Sequence, residues 1–110
     1  MATFPFQQMD VYRTAKEMAV QVHRARIKHR QLKDQAERAA VGVLLQLSEG
    51  LPSFRPKVRA RYFDIARDSA AEVAAAIDLA SDLGVIDAAL AGAILDRAGK
   101  VRAMLIGLSR

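Results

Sequence analysis

Cationic side chains are the residues of this sequence whose spacing best predicts chemistry. Thirteen of the 17 lysines and arginines lie in three stretches that contain no acidic residue. These stretches hold Arg24, Arg26, Lys28, Arg30 and Lys33; then Arg55, Lys57, Arg59 and Arg61; then Arg97, Lys100, Arg102 and Arg110. Cations at this density bind phosphates by releasing counterions, without reading the bases. The pattern therefore predicts a surface for RNA or DNA backbones, and a charged surface that only maintains solubility is the alternative.

Few residues could support catalysis or bind a metal. The chain has no cysteine and two histidines, His23 and His29, whose spacing of six places them on different faces of a helix. Neither a zinc site nor a disulfide is expected. The sequence also lacks a glycine-rich phosphate loop, a His-Glu-x-x-His motif and a calcium loop. We therefore expect no metal, no cofactor and no catalytic centre.

The net charge and the hydropathy limit which partners and which cellular location are expected. The formal net charge of +5 favours polyanions and acidic surfaces as partners. No apolar run approaches the roughly 20 residues that span a bilayer. The first residues, Met-Ala-Thr-Phe-Pro-Phe, lack the pattern of a signal peptide, and the absence of cysteine fits a reducing compartment. We expect a cytoplasmic protein with no membrane partner.

Apolar and small residues recur at helical spacing in four segments. A length of 110 residues fits one domain, 1–110, and the alanine-rich composition favours helices. The predicted helices cover about 8–29, 33–49, 57–83 and 87–109. Their predicted buried stripes are Val11, Ala15, Met18, Val22 and Ala25; Ala36, Ala40, Val43 and Leu47; Val58, Tyr62, Ile65, Ser69, Val73, Ala76, Ala80 and Leu83; and Leu90, Ile94, Val101, Met104 and Leu108.

Turn-forming residues separate these segments. Gly50 and Gly84 fit the C-terminal ends of the second and third helices, and Asp87 can cap the fourth. Pro52 and Pro56 break the chain between the second and third helices. Three short connections make consecutive helices antiparallel neighbours, so we predict an all-α, up-down-up-down four-helix bundle.

Two segments resemble the signature of the 23S rRNA-intervening sequence protein family, whose members are four-helix bundles. Residues 35–50, QAERAAVGVLLQLSEG, are similar to its pattern Gln-x-x-Arg-Ala-Ala, apolar residues and Glu-Gly, with Gln46 where asparagine is usual. Residues 62–72, YFDIARDSAAE, are similar to aromatic-x-x-Ile-Ala-x-x-Ser-x-x-Glu. The resemblance implies a homo-oligomer, with a pentamer favoured. A related branch assists retroelement reverse transcriptases, which adds a nucleic-acid enzyme to the implied partners.

The two segments also contain the polar residues that the resemblance selects. Folding the second and third helices back about Pro52 places Arg38 opposite Ser69 and Glu72, which predicts a structural polar pair that maintains the helix register. Glu49 and Glu72 would then lie roughly 30 Å apart, too far to share a substrate. No histidine lies near Ser69 to activate it. An enzyme would need a composite site between subunits.

The predicted topology decides where positive charge collects. The second and third basic stretches meet at the end of the bundle that contains Pro52, here called the Pro52 end. The first stretch lies at the opposite end, where Asp78, Asp82 and Asp87 are expected to offset it. We therefore predict that the nucleic-acid surface consists of Arg55, Lys57, Arg59, Arg61, Lys100 and Arg102.

A ridge of small residues on the fourth helix points to helix packing. Glycine inside a helix costs about 1 kcal/mol, so its repeated use suggests a close approach by another helix. The ridge comprises Ala88, Gly92, Gly99 and Ala103. Close packing between helices of one bundle is one interpretation, and the family resemblance favours the other, an oligomer interface. A protein-protein interaction scaffold without nucleic-acid binding is the alternative function.

Overall fold

The computed structural model describes residues 3–109 of the chain. A short 3-10 helix, Pro5–Gln8, precedes four α-helices: α1 (Asp10–Arg24), α2 (Arg30–Gly50), α3 (Pro56–Asp82) and α4 (Ala88–Leu108). This range contains no strand. The prediction of an all-α fold with four helices is therefore confirmed.

The helices surround one core in chain order, and α1 also lies beside α4. Glu72 of α3 meets Gln35 near the start of α2, whereas Gly50 at the end of α2 lies against Tyr62. These contacts make α2 and α3 antiparallel. They also place the α2–α3 connection, with Pro52, at the end of the bundle opposite the α1–α2 connection.

Small and aliphatic residues fill the core, as the stripes on α1 and α2 predicted. Every residue of those two stripes is buried. Many core positions are alanine, which lets helix axes approach closely. Phe63 and Met18 are the largest fully buried side chains. On α4, Ile94 and Val101 are buried, whereas Leu108 at the helix end is exposed.

The first helix is shorter than predicted. Ala25 and Ile27 are buried at the end of the bundle, whereas Arg26 and Lys28 beside them are exposed. This alternation belongs to an extended chain rather than a helix. The backbone N–H of Lys28 donates to the carbonyl of Val85 in the α3–α4 connection at 2.8 Å, which ties the segment across the bundle.

The first half of the predicted stripe on α3 is displaced by one residue. The buried residues are Phe63, Ala66 and Ala70, whereas Ile65 is exposed. The prediction was wrong here because α3 packs against both α2 and α4, and its buried face is centred between them. The predicted stripe instead follows the edge that contacts α2, where Ser69 lies against Gly42.

Candidate nucleic-acid interface

The Pro52 end combines the start of α3 with the N-terminal segment of the chain. Pro56 begins α3, a position that suits proline because the first helical N–H has no intrahelical partner. Arg55 precedes it with an extended backbone, and its N–H donates to Ser53 Oγ at 3.2 Å. The first turn of α3 contains no acidic residue. The helix dipole and the basic side chains therefore add to the same positive potential.

The four cations of the second stretch do not form one surface. Arg55, Lys57 and Arg61 are exposed and form no ion pair with another described residue. Lys57 and Arg61 lie one helical turn apart, on the same outward face. Arg59 lies on a different face and is half-buried. The cations available for phosphates at this position are therefore Arg55, Lys57 and Arg61.

Arg59 is held by contacts within the bundle. Its Nη1 donates to the carbonyl of Leu51 at 3.4 Å, just beyond the end of α2. Its guanidinium carbon lies 5.1 Å from the centre of the buried Phe63 ring. Arg59 thus joins the end of α2 to the start of α3, a structural role that its place in a basic stretch did not reveal.

Two cations of the third stretch are paired with acids. Arg97 Nε lies 2.9 Å from Glu17 Oε2 on α1, and Lys100 Nζ lies 3.2 Å from Asp96 Oδ2 one turn earlier on α4. Both pairs are partly exposed, so each stabilises the fold by about 1 kcal/mol at most. Their charges are nevertheless largely compensated locally, which weakens the expectation that Lys100 contributes to a phosphate surface.

Arg102 is the exposed cation of this stretch that forms no ion pair with a described residue. Residues two positions apart on a helix project in nearly opposite directions, so Arg102 and Lys100 cannot belong to the same flat patch. Arg110, which the sequence assigned to this stretch, lies outside the described residues.

The first stretch lies at the opposite end and is less neutralised than predicted. Arg24, Arg26, Lys28 and Arg30 are exposed, and among the residues placed in the structure none of them pairs with an acid. Lys33 Nζ lies 2.9 Å from Glu37, and the hydrogen bond to that carboxylate, together with its charge, raises the pKa of Lys33.

The aspartates expected to offset the positive charge of the first stretch lie at the same end of the bundle but, in the described part of the chain, do not pair directly with its cations. The contact of Lys28 with Val85 brings the α3–α4 connection, with Asp82 and Asp87, to the same end of the bundle. Asp87 Oδ2, however, accepts the backbone N–H of Leu90 at 2.9 Å and so caps α4. The prediction of proximity is confirmed, but direct pairing is absent among the described residues.

The predicted polar pair across α2 and α3 is not formed. Glu72 Oε2 accepts from Gln35 Nε2 at 3.3 Å, and neither an ion pair nor a hydrogen bond joins Arg38 to Glu72 or Ser69. Arg38 and Glu72 are exposed, so their guanidinium and carboxylate groups remain hydrated without each other. Ser69 instead packs beside Gly42, where an added Cβ would lie 3.4 Å from its Oγ.

The acidic residues considered for catalysis remain far apart. Because Glu72 lies opposite Gln35, Glu49 is about four helical turns away, roughly 20 Å at 1.5 Å per residue. This separation is shorter than the predicted one but still too long for a shared substrate. Within residues 3–109, no cluster of His, Cys, Asp or Glu could hold a metal ion.

Aromatic residues from the N-terminal segment join the Pro52 end, which the sequence prediction did not anticipate. Phe4 and Phe6 line a groove together with Pro52, Phe54 and Arg59. The signal was present as Phe-Pro-Phe before the first helix. The predicted up-down topology makes that helix begin at the Pro52 end, but the sequence prediction did not draw this consequence for the aromatic residues.

Most of the chain is similar to a known protein family. A family model described as 23S rRNA-intervening sequence protein matches residues 7–107 of the chain. No curated protein matches the sequence. In the part of the chain that the structure describes, no helix has the length and apolar character needed to cross a membrane.

Proposed function

The chain belongs to the 23S rRNA-intervening sequence protein family, and we propose that it is a cytoplasmic, non-enzymatic homo-oligomer that binds RNA or DNA backbones through its Pro52 end. The observation that carries the proposal is the cluster of Arg55, Lys57 and Arg61, called here the α3 cation cluster. All three side chains are exposed and unpaired among the described residues.

The position of the α3 cation cluster is unfavourable for folding alone. Arg55 and Lys57 lie at the N-terminus of α3, where the helix dipole repels a cation at a cost of about 0.3–1 kcal/mol each. No acidic residue in the first turn relieves this repulsion. A bound phosphate would interact favourably with both the cations and the helix terminus. This local arrangement supports an anionic ligand more strongly than the net charge does.

Self-association is supported by the outward face of α4. Gly92 and Gly99 are exposed, and a Cβ added at either would meet nothing within 4 Å. Ala88 and Ala103 on the same ridge are also exposed. Contacts inside the bundle therefore do not account for these small residues, whereas close packing against a helix of another copy would. We propose a closed assembly, with a pentamer favoured, that repeats the α3 cation cluster around a symmetry axis.

A partner enzyme fits the same proposal. An assembly that binds polynucleotides without reading their sequence could hold a template or product for a nucleic-acid enzyme such as a reverse transcriptase. The α3 cation cluster suits this role because phosphate contacts position a strand but do not specify its bases.

A scaffold without nucleic-acid binding is the second candidate, and exposed apolar residues on α2 and α3 favour it. Val41 and Leu45 lie one turn apart on α2, and Leu79 and Leu83 lie one turn apart at the end of α3. Large apolar side chains that are exposed next to one another, as in each of these two pairs, are typical of protein-protein contacts. These residues would serve a protein partner as well as a second copy of the chain.

Binding measurements at increasing salt separate the two functions. We expect RNA and DNA of unrelated sequence to shift in a gel with similar affinity, and the logarithm of the affinity to fall linearly with the logarithm of salt concentration. A chain that assembles but binds no polynucleotide at low salt would favour the scaffold.

A further inference from the structure

A groove at the Pro52 end combines aromatic and cationic side chains. It has a volume of about 550 Å³ and is lined by Phe4, Phe6, Leu51, Pro52, Phe54 and Arg59, among others. Volumes of roughly 300–1,000 Å³ are usual for sites that take a small molecule or one group of a larger ligand. The walls come from two separate parts of the chain, the N-terminal segment and the α2–α3 connection with the adjoining ends of α2 and α3.

Two phenylalanine side chains that line this groove are largely exposed to solvent. Phe54 is 100% exposed and Phe4 is 68% exposed, more than any other large apolar residue described. Phe4 stacks on Phe6 with ring centres 5.8 Å apart and an angle of 17°. Phe6 in turn meets Tyr12 edge-on at 5.1 Å, so the stacked pair is supported from α1. The groove therefore presents aromatic faces that the bundle itself does not cover.

The cations beside the groove indicate which kind of ligand could cover the exposed aromatic faces. Arg55 follows Phe54 directly in the chain, and Lys57 lies at the start of α3. An apolar peptide would use the aromatic faces but not the cations, whereas a rigid duplex would use the cations but not the aromatic faces. An unpaired polynucleotide has both a phosphate chain and flat bases that stack on aromatic rings.

We propose that the groove stacks an unpaired base of single-stranded RNA or DNA against its exposed phenylalanine side chains while the α3 cation cluster binds the adjacent phosphates. This inference rests on the proposed function and adds to it the strandedness of the ligand and the residues that select it. The site does not read sequence, because stacking accepts every base. A duplex binds more weakly, because its bases are paired and stacked on each other.

Fluorescence anisotropy with four labelled probes of equal length tests the proposal. The probes are single-stranded RNA, single-stranded DNA, a single strand without bases and a DNA duplex. Wild-type protein should bind both base-bearing single strands more tightly than the abasic strand or the duplex. Phe54→Ala should weaken only the base-bearing single strands, by roughly 5- to 150-fold, the range for removal of one stacked base. The difference between RNA and DNA arms shows which polymer the site prefers.

Control variants keep the result interpretable. Phe54 is fully exposed, so its truncation should leave the fold unchanged, as circular dichroism would show. Phe54→Trp retains a ring and should retain affinity. Val20→Ala removes another exposed apolar side chain, 40% exposed on α1, which belongs to no surface proposed for binding or assembly, and it should not affect any probe.

Different negative results would separate the stacking of bases from the binding of phosphate backbones. Equal wild-type affinity for base-bearing, abasic and duplex probes would overturn base stacking but leave backbone binding intact. Binding of no probe would overturn both. A change in assembly size rather than in affinity on Phe54→Ala would assign the groove to contacts between copies and would also overturn the inference.

Discussion

The guanidinium of Arg59 lies over the ring of Phe63, with 5.1 Å between its central carbon and the ring centre. The same guanidinium donates to the carbonyl of Leu51. These two contacts join the end of α2 to the start of α3, and they separate Arg59 from the cations that surround it in the sequence.

Replacing Arg59 should therefore affect stability more than binding. Arg59→Met removes a cation–π contact and a hydrogen bond, and we expect a decrease of about 1–2 kcal/mol in the free energy of unfolding. Arg61→Met, an exposed control nearby on α3, should stay within about 0.5 kcal/mol of wild type. Urea denaturation measures both. Equal effects of the two substitutions would contradict the structural role of Arg59.

The α3 cation cluster should dominate the salt dependence of polynucleotide binding. Changing Arg55, Lys57 and Arg61 to Gln should flatten the plot of log affinity against log salt by about 0.7 for each single-strand phosphate that the variant no longer neutralises. The matched control changes Arg24, Arg26 and Lys28 to Gln, which removes the same formal charge from the end of the bundle that contains Asp82 and Asp87. Anisotropy titrations at several salt concentrations compare the binding affinities of the two triple variants. Equal decreases in affinity would show that only total charge matters.

The glycine at the end of α2 should tolerate no side chain. A Cβ at Gly50 would lie 2.8 Å from the Cβ of Tyr62 and 3.2 Å from the Phe63 ring. Because the helices must move apart, Gly50→Ala should lower the stability by about 1–3 kcal/mol. Gly99→Ala is the control, since a Cβ there meets nothing within 4 Å, and it should raise stability by up to about 1 kcal/mol. Because Gly99 lies on the ridge proposed for assembly, thermal denaturation is measured at a protein concentration low enough that both variants are single chains.

The ridge on α4 should matter for assembly rather than for the fold of one bundle. Light scattering after size exclusion should give a mass several times the 12.0 kDa of one chain. Gly99→Leu should shift the mass toward one chain while the helical circular dichroism is retained, because the added side chain meets open space within the bundle. A wild-type mass of one chain would contradict the assembly, and an unchanged mass in the variant would place its interface elsewhere.

The contact between Gln35 and Glu72 should contribute little to stability. Both side chains are exposed, and their polar atoms lie 3.3 Å apart, so Glu72→Ala should cost less than about 1 kcal/mol. Arg38→Met should change the stability by no more than about 0.5 kcal/mol, because Arg38 pairs with neither Glu72 nor Ser69. A decrease near 3 kcal/mol from Glu72→Ala would indicate the buried ion pair that the sequence suggested.

The sequence by itself determined the number of helices, the two later breaks between them and the core of α1 and α2. Apolar residues such as Met18 and Leu47 recur at helical spacing, and burying that stripe dominates the free energy of folding. Pro56 marks the start of α3 and Gly84, with φ of 70°, follows its end, because their backbones favour such positions. These signals are local, so they can be recognised without the rest of the structure.

Only the tertiary structure decided which side chains share a surface. Helical spacing allowed either Tyr62 or Phe63 to face the core, and the neighbouring helices α2 and α4 selected Phe63. The same orientation turned Arg59 toward that ring and left Lys57 and Arg61 exposed. It also paired Glu72 with Gln35 rather than Arg38, since exposed polar groups exchange partners at little cost. Turning a helix about its axis by one residue leaves the spacing of its apolar residues helical, but it changes which side chains contact the neighbouring helices.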